Sequence, residues 1–560
     1  MKFLLGRVKR RCFFGLIAPS QNQLDISTVK QVDAVVVGAG FAGMYMLYRL
    51  RNEGLSVQGF ERGDGVGGTW YWNRYPGARC DIESMEYSYQ FSEELQQEWQ
   101  WTERYAPQPE ILNYANHVAD RFDLRADFQF ETTVVSAEFD EATCRWIVTT
   151  NKDEVFSAQW CIMATGCLSS TNLPDFDGID DFKGDWYHTG LWPKDGVDFS
   201  GKRVAVVGTG SSAIQSIPVI AQQAKTLTVF QRTPNFSIPA HNGPLSPKYV
   251  DQIKSDYKNF RKLNNETFPG FGARWTRYQD SVLDATEEER TRRFDEKWRL
   301  GGFHFLNSFG DIGESRDHNK FAADYARNKI RAIVNDPETA ELLCPDQVIG
   351  CKRLCVDTGY FETFNLEHVS LVSVKQHPIE CLTENGLITG GKEYEFDIIV
   401  FATGFDAMTG SLLSIDIRGR EDQTLEEKWA AGPRTFLGLQ THGFPNLFTI
   451  SGPGSPSVLT NMVVSIEQHV NWITRCINHM RMNSMNYVEA ELAAEDAWVD
   501  HNNELAEPTL FPQCNSWYLG ANVPGKPRVF MPYVGGFPAY VEKCEEVANS
   551  GYRGFVMRAA

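Results

Sequence analysis

The sequence predicts an α/β fold with two nested βαβ units and a helical insertion. Three observations predict it. Strand–turn–helix–strand patterns with glycine-rich turns occur twice, over residues 32–61 and 203–231. A charge-dense stretch with helical periodicity follows the second, over residues 239–345. Two near-copies of one apolar strand end, Cys161-Ile-Met-Ala-Thr-Gly166 and Ile399-Val-Phe-Ala-Thr-Gly404, lie where the chain would cross between the units. Short apolar runs read as strands and longer runs of period 3.6 as helices.

In the first unit a strand Val32–Val37 leads into Gly38-Ala39-Gly40-Phe41-Ala42-Gly43. A helical run to Leu50 and a strand Ser56–Glu61 follow. Glycines at this spacing permit a tight turn, a close backbone approach to a pyrophosphate, and close helix–strand packing. The phosphate then meets free N–H groups at the helix start. Glu61 ends the second strand, where a carboxylate accepts from a ribose 2′-hydroxyl and repels a 2′-phosphate. This unit is expected to hold FAD or NAD. The second unit is a strand Arg203–Val207, the turn Gly208-Thr209-Gly210-Ser211-Ser212-Ala213, a helical run to Ala224 and a strand Leu227–Gln231. It ends in Arg232-Thr233 instead of an acid. A guanidinium there pairs with a 2′-phosphate and selects NADPH. Opposite charge choices in two Rossmann-like units imply FAD in one and NADPH in the other.

In the insertion, Ser246-Pro247 reads as an N-cap with proline at the first helical position. Thr286 with Glu289 reads as a capping box. Strand-like runs return at Val369–Val374 and Ile398–Phe401, and a helix Asn461–Met480 lies among Gly/Pro-rich loops. The expected domains are an N-terminal extension (1–30), a FAD-binding domain (31–165 with 397–560), an NADP-binding domain (166–238 with 346–396) and the insertion (239–345).

Length and composition set the outer limits. The 560 residues suggest two or three domains. A net charge of −18 disfavours a nucleic-acid binder, which needs a basic face. None of the 12 cysteines forms C-x-x-C, and the closest pairs, Cys161/Cys167 and Cys351/Cys355, fit neither a zinc site nor a dithiol motif. Reduced thiols in a cytosolic-type compartment, and no metal, are therefore expected. No run approaches the apolar length of a spanning helix. Lys2, Arg7, Lys9, Arg10 and Arg11 precede an apolar stretch, Cys12 to Ala18. This reads as a solvated extension, with a membrane-surface or targeting arm as the other reading.

Two segments carry further chemistry. Gly67-Gly68-Thr69-Trp70-Tyr71-Trp72-Asn73-Arg74-Tyr75-Pro76-Gly77-Ala78-Arg79-Cys80-Asp81 combines glycines that let backbone lie against a flavin with aromatics that exclude water. It ends in a carboxylate, Asp81, near the cofactor. The aromatics also suit plain core packing. Phe182–Pro193 contains His188, to which spacing assigns no chemistry; it reads as a linker-positioning residue.

These two segments resemble the fingerprints of the Baeyer–Villiger monooxygenases, F-x-G-x-x-x-H-T-x-x-W-P and G-G-x-W-x-x-x-x-Y-P-G-x-x-x-D. The resemblance runs from about residue 30 to the C-terminus. It is greatest to the phenylacetone and steroid monooxygenase branch, through Cys351-Lys352-Arg353, Ala402–Gly410, Gly452–Ser457 and Ser516-Trp517-Tyr518. The resemblance implies an enzyme that uses FAD, NADPH and O2 to convert hydrophobic ketones (cyclic, aryl or steroid-like) to esters or lactones through a C4a-peroxyflavin. It implies that Arg353 faces the flavin and that Asp81 positions it. Lys352 and Arg232, with Thr233 beside them, would hold the 2′-phosphate. Trp517 would contact the nicotinamide cofactor from a mobile loop. On the FAD side it implies Gly38, Gly40, Ala42, Gly43, Glu61, Thr69, Trp70, Tyr71, Trp72, Arg79, Cys80, Tyr87, Val134 and Met462. On the NADPH side it implies Thr209, Gly210, Ser211, Ser212 and Gln215. His188 would act in domain communication, and Val458 and Leu459 would line the substrate. An N- or S-oxygenating flavin monooxygenase is the alternative, expected to lack Arg353 and the Trp192 fingerprint. A pyridine-nucleotide–disulfide reductase would need a redox-active cysteine pair, and a non-enzymatic flavin module would not need the Arg353/Asp81 pair. A monomer or weak oligomer is expected.

Overall fold

The computed structural model describes residues 29–559. The basic arm and the apolar stretch after it lie outside the described residues.

The first sheet runs in the order Asp416–Arg418, Val134–Asp140, Arg145–Thr150, Val155–Met163, Lys30–Val37, Val57–Phe60, Phe128–Gln129. Leu447–Thr449 also pairs with Val155–Met163. Its centre is parallel and its Val134–Met163 flank antiparallel. The second sheet is wholly parallel, in the order Val369–Ser373, Thr226–Gln231, Arg203–Val207, Ile398–Phe401, Asp185–His188. Two of its three inner strands, Arg-Val-Ala-Val-Val and Ile-Ile-Val-Phe, are apolar almost throughout because both faces are covered.

The second unit therefore extends through Phe401. The expected boundary at 397 falls one residue before a strand of the second sheet, and the crossing back to the first sheet comes after Gly404. An apolar strand carries no mark of the sheet it joins, so sequence could place Ile398–Phe401 in either unit.

Helix Met462–Met482 presents Val463, Ile466, Val470, Ile473 and Ile477 at spacings of three and four to the core that also holds Met44, Leu47 and Leu50 of helix Phe41–Asn52. Burying such side chains fully contributes roughly 1.5–3 kcal/mol each. Asn461 caps this helix, its side chain accepting from Val463 N. Its amide also donates to Glu86 O at 2.8 Å, tying the helix to the first unit.

The insertion is helical as expected, with Pro247–Lys254, Tyr257–Asn265, Glu287–Leu300, Arg316–Ile333 and Pro337–Leu343. Ser246 precedes Pro247 at the cap position without a side-chain bond. Thr286 accepts from Glu289 N at 3.2 Å, but the reciprocal half of the capping box is replaced. The Glu289 carboxylate turns to Arg292 and Arg293, whose charge-assisted bonds outcompete a backbone N–H. No helix among the described residues is long and apolar enough to cross a membrane.

Candidate active site

The two glycine turns are built alike. Gly38 (φ +108) and Gly208 (φ +113) both take a backbone region that L side chains avoid. A Cβ on Gly38 would lie 2.6 Å from Ala164 O, and one on Gly208 would lie 2.5 Å from Ala402 O. Each Ala-Thr-Gly strand end thus packs on the first glycine of its own unit, which accounts for the duplication in the sequence. Gly43 is equally obligatory, since a Cβ there would meet Gly38 O at 1.7 Å.

Gly40 and Gly210 start helices of 12 and 11 residues with no side-chain cap, so their first N–H groups are free to meet an anion. A Cβ on Gly210 would meet nothing within 4 Å, leaving room there. Ser211 and Ser212 are the first residues of the second helix, and Ala42 is buried in the first turn of the other. Glu61 is buried; its Oε2 accepts from Ala39 N at 2.9 Å and its Oε1 from Gly63 N at 2.7 Å. A carboxylate has about four acceptor positions, so capacity for a ribose hydroxyl remains. These features fit a dinucleotide at each turn.

At the second turn Thr209 Oγ1 donates to Thr233 O at 2.9 Å, joining the turn to the residues after the next strand. Burial pulls the Lys352 ammonium below its usual pKa, and the nearby Arg232 guanidinium adds to the effect. Neither cation makes an ion pair with another described residue. Two such charges held together without a counter-ion fit a 2′-phosphate.

Arg353 reaches Asp81 across 272 residues. The fork is bidentate, Nε donating to Oδ2 at 2.5 Å and Nη2 to Oδ1 at 2.8 Å. Nη1 donates to Val458 O at 2.6 Å, and the guanidinium lies 5.1 Å from the centroid of Phe303. Each member of the pair is 22% exposed. Burial alone would lower the arginine pKa; the carboxylate more than compensates and raises it further. The cation is therefore permanent, and three groups on separate segments hold it. Tyr518 is buried, and Trp517 packs 4.4 Å from it between ring centroids. Val458, Cys167, Met408, Leu519 and Met531 form an apolar cluster with Tyr518, and Leu459, Met462 and Trp517 pack against it.

The aromatic run does two things. Trp70 Nε1 donates to Tyr87 Oη at 3.0 Å, and both rings are buried in the core. Tyr71 and Trp72 lie beneath Arg74 and Arg62, at 4.6 and 4.5 Å. Thr69 opens this helical turn, and Val134 is buried at the start of its strand.

Three expected cofactor contacts also bond within the protein. Gln215 spends its amide between units: Oε1 accepts from Tyr75 Oη at 2.8 Å and Nε2 donates to Arg79 O at 3.1 Å. Arg79 donates to Glu103 Oε2 at 2.7 Å and Tyr105 O at 2.6 Å. Cys80 is buried, its sulfur accepting from Ile82 N at 3.4 Å.

His188 is 1% exposed and ends a strand paired with Ile398–Phe401. Its Nδ1 accepts from Gly190 N at 3.0 Å, and burial lowers its pKa to about 4. It is a neutral residue at the crossing beside Gly404, suited to positioning and not to proton donation. Sequence reasoning missed Phe303 and the Val458 carbonyl. It also overlooked Cys351–Cys514, a disulfide between residues 163 apart, which corrects the expectation of reduced thiols throughout. No short-range spacing marks such a pair.

A family model described as flavin-binding monooxygenase-like matches residues 30–239. A Baeyer–Villiger monooxygenase of Pseudooceanicola batsensis is 43% identical over 94% of this chain and 96% of its own. A phenazine N-monooxygenase of Lysobacter antibioticus is 42% identical over 94% of this chain and 97% of its own. A solved structure of an oxidised steroid monooxygenase bound to NADP superposes with a TM-score of 0.90 at 51% identity, covering 95% of this chain and all of that one.

Proposed function

The chain belongs to the Baeyer–Villiger monooxygenases of the flavin-binding monooxygenase-like family, and on that premise we propose how its own residues divide the reaction. It uses FAD, NADPH and O2 to convert ketones to esters or lactones. The chemistry a bound flavin supplies is acceptance of hydride from NADPH and activation of O2.

The Arg353–Asp81 fork carries the reading. Oxygen insertion beside a carbonyl develops negative charge on the carbonyl oxygen as the nucleophile attacks. A guanidinium already fixed beside that position stabilises the charge without reorganising. Arginine serves here because it cannot give up its proton in the working pH range. Asp81 and the Val458 carbonyl fix its direction, and Phe303 covers one face. Arg232 and Lys352 hold the 2′-phosphate, Thr233 stands beside them, and the helix starting at Ser211 receives the pyrophosphate. Glu61 and the helix starting at Phe41 do the same for the flavin nucleotide. The apolar cluster of Val458, Leu459, Met408 and Tyr518 suits a hydrophobic ketone and keeps water from the site.

A panel of cyclic, aryl and steroid-like ketones, with mass-spectrometric identification of products, tests this reading. Esters or lactones are expected, with turnover rising with ketone hydrophobicity. One relative oxidises a ring nitrogen on the same scaffold, so the panel includes phenazine and a sulfide. N-oxide as the main product, with no ester, contradicts the reading. Separately, Arg232→Ala is expected to raise the KM for NADPH about tenfold or more and leave that for NADH nearly unchanged, since a charge-assisted phosphate contact contributes roughly 1.5–3 kcal/mol. An unchanged cofactor preference counts against the phosphate site.

A further inference from the structure

Cys351 and Cys514 are joined through sulfur with Cα atoms 6.3 Å apart, inside the span a disulfide bridges. The nine other described cysteines are free. The bridge's position sets it apart. Cys351 directly precedes Lys352 and Arg353, while Cys514 closes the short turn Phe511–Gln513 three residues before Trp517. One covalent bond thus joins the segment carrying both cations to the segment carrying the tryptophan.

The rest of the loop is fastened mainly on its far side. Asn522 Nδ2 donates to Phe405 O at 2.7 Å, Lys526 pairs with Asp406, and Met531 N donates to Tyr518 O at 2.9 Å. On the near side, an exposed bond from Arg316 Nε to Gln513 Oε1 at 2.9 Å adds little in water. A small apolar cluster of Val348 and Leu510 surrounds the sulfurs. The disulfide is the covalent constraint on the approach to Trp517.

We propose that Cys351–Cys514 is a reversible thiol–disulfide site that latches the Trp517 loop over Lys352 and Arg353 and sets how firmly NADP is held. This rests on the NADPH reading of Lys352 and Trp517 given above. In the oxidised form the bridge orders the loop before the cofactor arrives; in the reduced form cofactor binding must order it, which weakens binding. A looser cofactor also admits water, so activated oxygen is lost as H2O2 before it meets the ketone.

The exchange is balanced by a dithiol. Cys514 is 7% exposed and lies between exposed Gln513 and Asn515, whereas Cys351 is 2% exposed. A dithiol thiolate attacks Cys514 Sγ, the Cys351–Cys514 bond breaks, and Cys351 leaves as thiolate and takes a proton. The second thiol of the reagent then displaces Cys514 and leaves as a cyclic disulfide, so two electrons and two protons pass to the pair. A low-molecular-weight disulfide reverses both steps.

The test uses the FAD-loaded full chain. Alkylation without reductant, followed by peptide mass mapping, is expected to recover one cross-linked peptide pair containing Cys351 and Cys514, which dithiothreitol converts to two alkylated peptides. Reduction is expected to raise the KM for NADPH about five- to tenfold and to raise the H2O2 fraction, with oxidised glutathione restoring both. Cys514→Ser is expected to show the reduced values in either condition and to respond to neither reagent. A bridge that only stabilised the fold would change the unfolding temperature and leave NADPH KM and H2O2 unmoved, which overturns the proposal. So does finding both thiols free and resistant to oxidised glutathione. Arg232→Ala measured beside it separates the two readings: an unchanged NADPH preference there removes the cofactor assignment, whereas an unresponsive wild type removes the latch alone.

Discussion

Arg353→Ala is expected to bleach its flavin with NADPH at close to the wild-type rate while ester formation falls about 100- to 1,000-fold, the usual loss when one donor to a developing oxyanion is removed. The separation follows from where the guanidinium is held. Asp81 and the Val458 carbonyl fix it, while the expected phosphate contacts, Arg232 and Lys352, are different groups. Oxygen activated in the variant has no fixed cation to stabilise attack on a ketone, so NADPH oxidation is expected to continue with H2O2 as the product. Arg353→Lys restores a charge but not the fork, because an ammonium is a point charge on a flexible stem. It is expected to recover a minor part of the ester yield. Comparable losses of bleaching and of ester formation in Arg353→Ala would place the residue in cofactor binding instead.

Asp81→Ala has the second largest expected effect, and it acts on both stability and rate. Removing one partner of a buried ion pair leaves a charge without compensation, at a cost of about 3–5 kcal/mol when burial is complete. Both side chains here are 22% exposed, so water recovers part of that, and a loss of about 2 kcal/mol is expected. Chemical denaturation of the FAD-loaded enzyme measures it. The guanidinium would keep only the Val458 carbonyl and the Phe303 ring, and its aim at the carbonyl oxygen would broaden. Ester formation is expected to fall about 10- to 100-fold, since small misplacement of a catalytic group is costly. Flavin reduction is again expected to change little. Asp81→Asn should retain more stability than alanine, because an amide still accepts one hydrogen bond.

The parts of this site that sequence shows are those set by local backbone and charge. Gly38 and Gly208 sit where a side chain would strike Ala164 O and Ala402 O, so the turns and the strand ends that face them are legible together. Glu61 and Arg232 stand out in the sequence because each directly follows the second strand of its unit. The Arg353–Asp81 pair spans 272 residues, and no spacing rule predicts it; resemblance to a known family was needed. Phe303 lies in the helical insertion, far in sequence from anything it covers, and a lone phenylalanine carries no mark of facing a cation. Val458 contributes through its carbonyl, which every residue has. What spacing did not show for Gln215 and Arg79 is their partners within the protein: the Gln215 amide bonds to Tyr75 and the Arg79 backbone in the other unit, and the Arg79 guanidinium bonds to Glu103 and Tyr105 in its own. Cys351–Cys514 depends on how two loops meet, which neither loop encodes by itself.

The most direct measurement is a single turnover of Arg353→Ala. The enzyme is reduced anaerobically with one equivalent of NADPH, then mixed with oxygenated buffer containing a ketone that wild type converts. Ester and H2O2 are counted per flavin. A permanently charged guanidinium that serves oxygen insertion alone predicts full reduction, full reoxidation, nearly one H2O2 and almost no ester. One ester per flavin at the wild-type rate would contradict it.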